Sequence, residues 1–576
     1  MNRLPHTFDA LLARFGRFTE IQQRALDPLL AGRNCVLVAA TASGKTEAAL
    51  APLLERDKQG RPRNGRTKTL RFLYLVPTRA LARDMARRLA QPFDKLALRY
   101  AVKTSDEAPL KAHRPPEFLI TTPESLDSLL ANRPRFLREV CGVVLDELHL
   151  YDRTPRGDQL RILLNRLRRL RRFAHEQGDA PDGDVQFCAL SATIPDPQRV
   201  AARYFVDPVL ISVNGQRPID AEFVPFDDET ALGQFLHEAA RRGNRKVLAF
   251  CGKRAECEER AYALRGHTPF GDAVWAHHAS LSGSVRRNLE QKFTETGAAL
   301  CFATSTLELG IDVGDVDLVL LLGPPENYGS FLQRIGRGNR RTARTAVACF
   351  YRTPTEAALY EVFLRAARGQ TVADQQLAED LLRSDNGLEF CPSVVVQQLA
   401  SYIKQTRDGT LDPAHAYGLF ATPDGRPLLE RAQYDEIIEH LLATDFFAAG
   451  HGRALRPGAK WQELYEQRAI YSNLTGNWGD SIAVVDDQTG RRVGLLENAL
   501  PVGETFLLGG QPRRVTHLQG RKLAARALSD APLDPRAPRY RQRWTRLTPA
   551  LASELKIPCA AHNALPLPLY ICWRRR

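Results

Sequence analysis

The sequence predicts an α/β protein in which two parallel sheets, one after the other, are each flanked by helices. Three observations lead there. Short apolar runs recur without polar interruption, they end in small or charged residues, and helical patterns separate them. The first set is CVLVAA (35–40), RFLYLVP (71–77), EFLITTP (117–123), GVVLDE (142–147) and VQFCALSAT (185–193). The second is KVLAFC (246–251), AALCFAT (298–304), VDLVLLLG (316–323) and AVACFY (346–351). A strand that is apolar on both faces belongs in a parallel sheet covered by helices. Ligands of such sheets bind beyond the carboxyl ends of the strands, which is where the unusual residues cluster here.

After about residue 365 the pattern changes. VVVQQLASYIKQ (394–405) and YDEIIEHLLATDFF (434–447) are helical, and AAGHGRALRPGAKW (448–461) suits a wing-like hairpin. SIAVVDDQTGRRVGLL (481–496) and ETFLLGGQPRRVTHL (504–518) predict short strands joined by turns at DDQTG and GGQPR. The chain of 576 residues is too long for one core, and at roughly 150 residues per domain about four are expected. The expected boundaries are 1–215, 216–365, 366–470 and 471–576.

Eighty basic against 66 acidic side chains leave a net charge of +14, which favours a polyanionic partner, nucleic acid ahead of a membrane surface. Ten cysteines, none in a CxxC pair, argue against a zinc ribbon or iron–sulfur centre and suit free thiols in a reducing compartment. The first residues, MNRLPHTFDALLARF, lack the apolar core of a signal peptide. No apolar run reaches the roughly 20 residues that span a bilayer. The expectation is a cytoplasmic protein without membrane contact.

Two stretches carry chemistry. AATASGKT (39–46) follows the strand CVLV and precedes a helical pattern, with Ala39 where a phosphate loop often has glycine. Such a loop turns backbone N–H groups onto phosphate oxygens. Gly44 permits close approach, Lys45 reaches the β- and γ-phosphates, and Thr46 binds a magnesium ion (Mg2+). VVLDELH (143–149) ends an apolar strand in two adjacent carboxylates. Beside a triphosphate, Asp146 suits the magnesium shell and Glu147 the orientation of water. Successive strand residues point to opposite sides, so a turn past the strand end must bring both toward the phosphates.

With these residues in view, the chain resembles the superfamily 2 helicases, and among them the Lhr-type (large helicase-related) group. The resemblance rests on nine ordered blocks over about 320 residues: TEIQ (19–22), AATASGKT, PTRAL (77–81), TTPES (121–125), DELH (146–149), SAT (191–193), HHASLS (277–282), ATSTLELGID (303–312) and QRIGRGNR (333–340). DELH differs from the RNA-helicase DEAD box in its final histidine. The resemblance implies two tandem RecA-like domains with ATP between them, a winged-helix domain and a small β-rich module. It implies an ATP-driven helicase moving 3′ to 5′ on single-stranded or 3′-tailed DNA, serving repair or defence. A nucleotide-switched scaffold in a larger protein complex, and unwinding of RNA or an RNA:DNA hybrid, are the alternatives.

Residue roles follow by position in the motifs. Gln22 is expected to bind adenine through its amide, with Phe8 or Phe15 stacking on the base. Thr41, Ser43, Gly44, Lys45 and Thr46 line the ATP loop, and Asp312 lies near the ribose or the arginines. Arg337 and Arg340 are expected at the γ-phosphate, sharing a face on one helical turn, with Arg334 in support. Such arginines supply about 10³–10⁵ in rate. His149, Ser191 and Thr193 are expected to couple the nucleotide to the nucleic acid. Arg79, Thr121, Thr122, Thr304 and Ser305 are candidates for phosphate-backbone contacts. Two residues depart from the pattern: Ala42 stands where many such loops have glycine, and Asn339 where a small residue is usual.

Weaker signals remain. LRILLNRLRRLRRF (160–173) predicts a helix covering the first sheet through Leu160, Leu163, Leu164, Leu167 and Leu170, with a solvated basic face. His277 and His278 read as packed or solvated histidines. RAPRYRQRWTR (536–546) interleaves arginines with Tyr540 and Trp544, which suits single-strand stacking or an amphipathic edge strand. Asp534 with Glu554 and Lys556 fits a nuclease pattern too common to carry weight.

Overall fold

The computed structural model describes residues 3–528 except 41–42, 61–68, 105–106, 108–109, 111–114, 193–195, 214–217, 227, 309–315, 339–343, 384–389, 407, 468, 472–481, 497–498 and 521. The described residues fall into two packed units. One combines residues up to Gly215 with 386–476; the other combines 216–385 with those from 477 on.

The first unit is built on seven strands: β1 (Cys35–Ala39), β2 (Phe72–Leu75), β3 (Tyr100–Lys103), β4 (Phe118–Thr121), β5 (Gly142–Leu145), β6 (Gln186–Ser191) and β7 (Val209–Val213). They run parallel in the order β3-β4-β2-β5-β6-β1-β7. The five predicted runs are the interior strands. The edges β3 and β7 are mostly half-buried, so neither needs an unbroken apolar stretch. Alternate residues feed two cores. Leu37, Tyr74 and Val144 meet helices Glu20–Leu30, Lys45–Gln59 and Arg79–Lys95. Val36, Leu73 and Val143 meet helices Pro123–Asn132, Pro155–Glu176 and Pro197–Tyr204. Each fully buried leucine in these layers contributes about 1.5–3 kcal/mol.

Helix Pro155–Glu176 buries its five leucines as expected, but its basic face is solvated only in part, with Arg172 exposed and Arg168 and Arg169 half-buried. Arg161, Arg166 and Arg171 are all buried, Arg166 at 1% exposure. The reason lies far along the chain. Helix Ser393–Gln405 packs on this face and brings polar side chains with it. Arg166 donates to Asp127 (2.9 Å), Gln398 (3.0 Å), Ser401 (3.1 Å) and Gln405 (2.8 Å). Asp127 also accepts from Gln159, Gln397, Gln398 and Ser401. A buried ion pair persists only with its remaining hydrogen-bonding capacity met, and here two carboxylate oxygens take five donors. The same segment adds helices Pro413–Tyr417, Arg431–Ala443 and Ala459–Glu466. An antiparallel hairpin, Phe447–Ala449 with Leu455–Pro457, forms where the wing-like turn is expected.

In the second unit β8 (Ile219–Pro225), β9 (Lys246–Cys251), β10 (Val274–His277), β11 (Ala299–Ala303), β12 (Leu318–Leu322) and β13 (Thr345–Tyr351) form a parallel sheet. Its order is β10-β11-β9-β12-β13-β8. Again the edges, β8 and β10, are the strands the apolar runs do not announce. A second, smaller sheet follows: β14 (Ile482–Asp486), β15 (Arg492–Leu496), β16 (Thr505–Leu507), β17 (Pro512–Gln519) and β18 (Lys522–Ala527) in the order β15-β14-β18-β17-β16. Both predicted hairpins, β14–β15 and β16–β17, are present. Residues 531–576, with the basic–aromatic stretch and the nuclease-like pattern, lie outside the described residues. Among the described residues no helix is long and apolar enough to cross a membrane.

Candidate nucleotide site

The phosphate loop leaves β1 and enters helix Lys45–Gln59. Gly44 is left-handed (φ 88°), and a β-carbon there would come within 2.5 Å of Gln22 Nε2 and 3.4 Å of the Phe15 ring. Glycine is therefore required on both counts. Gln22 is 3% exposed; its Oε1 accepts from Thr19 N (3.0 Å), and Thr19 Oγ1 donates to Ser43 O (3.0 Å). The TEIQ block thus closes a helix N-terminus onto the loop. Phe15 is the aromatic at the loop. Phe8 packs edge-on to Phe18 at 5.8 Å. Thr41 and Ala42 lie outside the described residues.

Lys45 Nζ donates to the carbonyls of Ala39 (2.5 Å) and Ala40 (2.8 Å). Burial lowers its pKa, and the nearby Glu147 and Asp146 charges oppose that shift. Asp146 continues β5, its N–H bonded to Leu75 O (2.8 Å). It shares a face with Val144, whose register partner is Tyr74. Tyr74 Oη donates to Asp146 Oδ2 (2.8 Å), and Thr46 lies beside the same phenol. The two residues expected to hold magnesium thus both neighbour one buried hydroxyl. Sequence reading missed Tyr74; its one signal is a polar-tipped ring inside an otherwise aliphatic strand. Burial, then the neighbouring Glu147 charge, raises Asp146 to about 7.

The turn that the adjacent carboxylates need is made by Glu147 itself, at φ 52°. A non-glycine residue there is strained. His149 Nδ1 lies 2.9 Å from Ser191 Oγ at the end of β6 and 3.6 Å from Glu147 Oε2. Burial, then Lys45, pushes His149 down to about 3, so its imidazole is neutral. Behind this turn Arg156 donates to Glu124 of the TTPES block (2.7 Å) and lies over the Tyr151 ring. A β-carbon on Gly157 would come within 1.9 Å of Tyr151 O. Neither residue stands out in the sequence, because their partners are tertiary.

The expected nucleic-acid residues are placed variously. Arg79 is exposed at the start of helix Arg79–Lys95. Thr121 is fully buried and donates to Lys103 O (2.6 Å), while Thr122 is the N-cap residue of helix Pro123–Asn132. In the second unit Thr304 and Ser305 are half-buried just past β11. Arg334 donates to Glu308 Oε1 (2.6 Å) and Arg337 to Glu308 O (2.8 Å). Glu308 thus ties the two last sequence blocks together, a role the sequence did not reveal. The helix that carries Arg334 ends at Ile335, Arg337 lies in the turn after it, and Gly338 bridges to Val316. Thr193, Asp312, Asn339 and Arg340 lie outside the described residues.

The donor set fits a nucleoside triphosphate with magnesium. Two polar atoms at the loop, Gln22 Nε2 and Ser43 Oγ, are buried without a hydrogen-bond partner, and such atoms need one. A glycine–lysine–threonine loop one strand away from β6, with a carboxylate pair one strand beyond on β5, forms a candidate nucleotide site at the carboxyl ends of a parallel sheet.

The comparisons agree. A DEAD/DEAH box helicase model matches residues 19–200, and a helicase conserved C-terminal domain model matches 229–342. The ATP-dependent helicase Lhr-Core protein 2 of Thermococcus barophilus is 34% identical over 57% of this chain and 41% of its own length. The ATP-dependent helicase Lhr-Core of Methanothermobacter thermautotrophicus is 27% identical over 90% of this chain and 63% of its own. The chain therefore spans less than two thirds of either relative. Among solved structures, the DUF1998 helicase MrfA bound to DNA aligns at TM-score 0.69 with 19% identity, covering 91% of this chain and 73% of its own. Mycobacterium smegmatis helicase Lhr bound to ssDNA and AMP-PNP aligns at 0.65 with 23% identity, covering 81% and 61%. The chain belongs to the superfamily 2 helicases, in the Lhr-type group.

Proposed function

We propose that this chain hydrolyses ATP to move along and unwind DNA, travelling 3′ to 5′ from a single-stranded tail. One observation carries the reading: Lys45, Asp146, Glu147, His149 and Ser191 meet at the carboxyl ends of one sheet, with Lys45 electrostatically linked to both carboxylates. MrfA bound to DNA and Mycobacterium smegmatis Lhr bound to ssDNA support the choice of polymer.

Gln22 and Phe15 receive the adenine, and Lys45 turns from two carbonyls to the phosphates. Thr46 and Asp146 hold magnesium, which when bound neutralises phosphate charge. Tyr74 keeps those two side chains in register. Glu147 orients the attacking water, and its strained backbone aims the carboxylate beside Asp146. Arg337 and Arg340 stabilise charge on the γ-phosphate. His149, held neutral, passes the state of Glu147 to Ser191 and the SAT strand end. The segment 366–470 serves as a winged-helix domain, a reading its hairpin Phe447–Ala449 with Leu455–Pro457 supports.

Lys45→Ala and Glu147→Gln should each lower ATP turnover by about 10²-fold or more, the scale for losing a group that acts on transition-state charge. A fully active Glu147→Gln enzyme would overturn the role given to that carboxylate. Strand displacement on a 3′-tailed duplex, with the loading strand as DNA or RNA, tests polymer and direction. Turnover without displacement would favour a nucleotide-switched scaffold, and faster displacement from RNA a hybrid helicase.

A further inference from the structure

We propose that the small C-terminal sheet is a positioning element for nucleic-acid binding by the second parallel sheet, and that Glu258 is the residue through which it acts. This rests on the motor reading above. Glu258 sits on helix Arg254–Leu264 with no exposure. A carboxylate in that position needs every lone pair met. It takes its hydrogen bonds from two places. His278 Nε2 donates to Oε1 (2.6 Å). Gly509 N donates to Oε1 (2.6 Å) and Gly510 N to Oε2, from the turn between β16 and β17. Gly509 (φ 74°) and Gly510 (φ 68°) are both left-handed. Successive amides so turned form an anion-binding nest, and the GG pair is spent on an internal anion.

A second tie runs through the backbone. Leu495 N donates to Ser280 O (2.7 Å) and Ser282 N to Val493 O (2.6 Å), so the HHASLS loop adds antiparallel to the edge strand β15. Close approach is built in: a β-carbon on Gly494 would stand 2.6 Å from Ser280 O. Leu281 and Leu289 complete the small sheet's own core with Val484, Leu496 and Phe506. The other end of the loop faces the candidate nucleic-acid residues. His277 O accepts from Thr304 N (3.2 Å), and His277 Nδ1 lies 2.8 Å from Thr306 Oγ1. His277 Nε2 donates to Glu290 (3.0 Å), which fixes the ring. Hydrogen bonds thus run from the Gly509–Gly510 turn through Glu258 to His278, and from the adjoining residue His277 on to Thr304 and Thr306.

The test uses the full chain and oligothymidylate. Glu258→Gln keeps the shape and removes the charge that gathers the three donors. The expected result is a rise of at least about fivefold in the oligothymidylate concentration that half-stimulates ATP hydrolysis, the lower range of inter-site coupling. ATP KM and unstimulated turnover should stay within about twofold. Gly510→Ala, on the far side of the contact, should shift the same quantity in the same direction. In unaltered protein, hydrogen exchange at Ser282, Leu495 and Gly509 should slow together with Thr304 when oligothymidylate is added. Unchanged half-stimulation in a folded Glu258→Gln protein overturns the proposal. So does unchanged exchange at those amides, which decides the matter if the variant does not fold. Absence of any stimulation in unaltered protein is instead a failure of the motor reading.

Discussion

Helix Ser393–Gln405 meets the first sheet's outer helices through side chains, whereas β15 meets the loop after β10 through its backbone. Both attachments bury one carboxylate, Asp127 in the first unit and Glu258 in the second. Asp127 is answered by an arginine and four neutral side chains, Glu258 by a histidine and two glycine amides. The difference teaches what each join tolerates. A side-chain hub depends on residue identity at every position. A backbone join depends on the absence of side chains, at Gly494, Gly509 and Gly510.

The comparison is most easily broken at the hub. Arg166→Ala should destabilise the first unit by about 3–5 kcal/mol, because it leaves Asp127 buried without its counter-charge. Hydrogen exchange in helices Pro123–Asn132 and Ser393–Gln405, read apart from the second unit, measures this. Replacing Asp127 and Arg166 together with leucine and methionine should not recover the loss, because Gln159, Gln397, Gln398 and Ser401 are then buried without their acceptor, at about 1–3 kcal/mol for each donor left unmet. In the second unit Gly494→Ala should cost about 1–3 kcal/mol, by overpacking against Ser280 O. Its effect should appear in β15 and the 277–282 loop alone.

Two titrating groups sharpen the comparison inside the first unit. His149 drops to about 3 from 6.5 on folding, so its contribution holds above pH 6.5 and is lost as pH falls toward 3. Asp146 rises to about 7 from 3.8, so its contribution is full below pH 3.8 and lost as pH rises through 7. The two slopes oppose each other across the same window. Without nucleotide or magnesium, His149→Gln should make the unit less acid-sensitive and Asp146→Asn less base-sensitive, read from denaturant midpoints at pH 5 and 7.5. The smallest effect is expected at exposed pairs such as Arg242–Glu222, where Arg242→Ala should cost about 0–1 kcal/mol.

The interior strands and the phosphate loop were legible because their signals are local: unbroken apolar runs, and a glycine, lysine and threonine in fixed order. The edge strands β3, β7, β8 and β10 were not, since a strand covered on one side needs no unbroken run. The arginines of helix Pro155–Glu176 misled for a related reason. Their periodicity marks a polar face, and helix Ser393–Gln405 makes that face interior at Arg166, while Arg171 is held by Arg138 and Asp182. Tyr74, Arg156 and Glu308 escaped because each acts on a partner at least 22 residues away. Asp146 and Glu147 were readable as a pair, but the left-handed turn at Glu147 that brings them together was not.

Arg166 and Gln398 are 232 residues apart in the chain. At about 5–20 residues per second of synthesis, a ribosome finishes the first sheet at Val213 about 10–40 seconds before it completes the helix Ser393–Gln405 that covers Arg166. For that interval the nascent chain displays the Arg166–Asp127 pair without the glutamines and serine that complete its hydrogen bonds. A growing polypeptide of this kind needs shelter from polyanions and from early aggregation, and truncation anywhere before residue 405 makes that interval permanent.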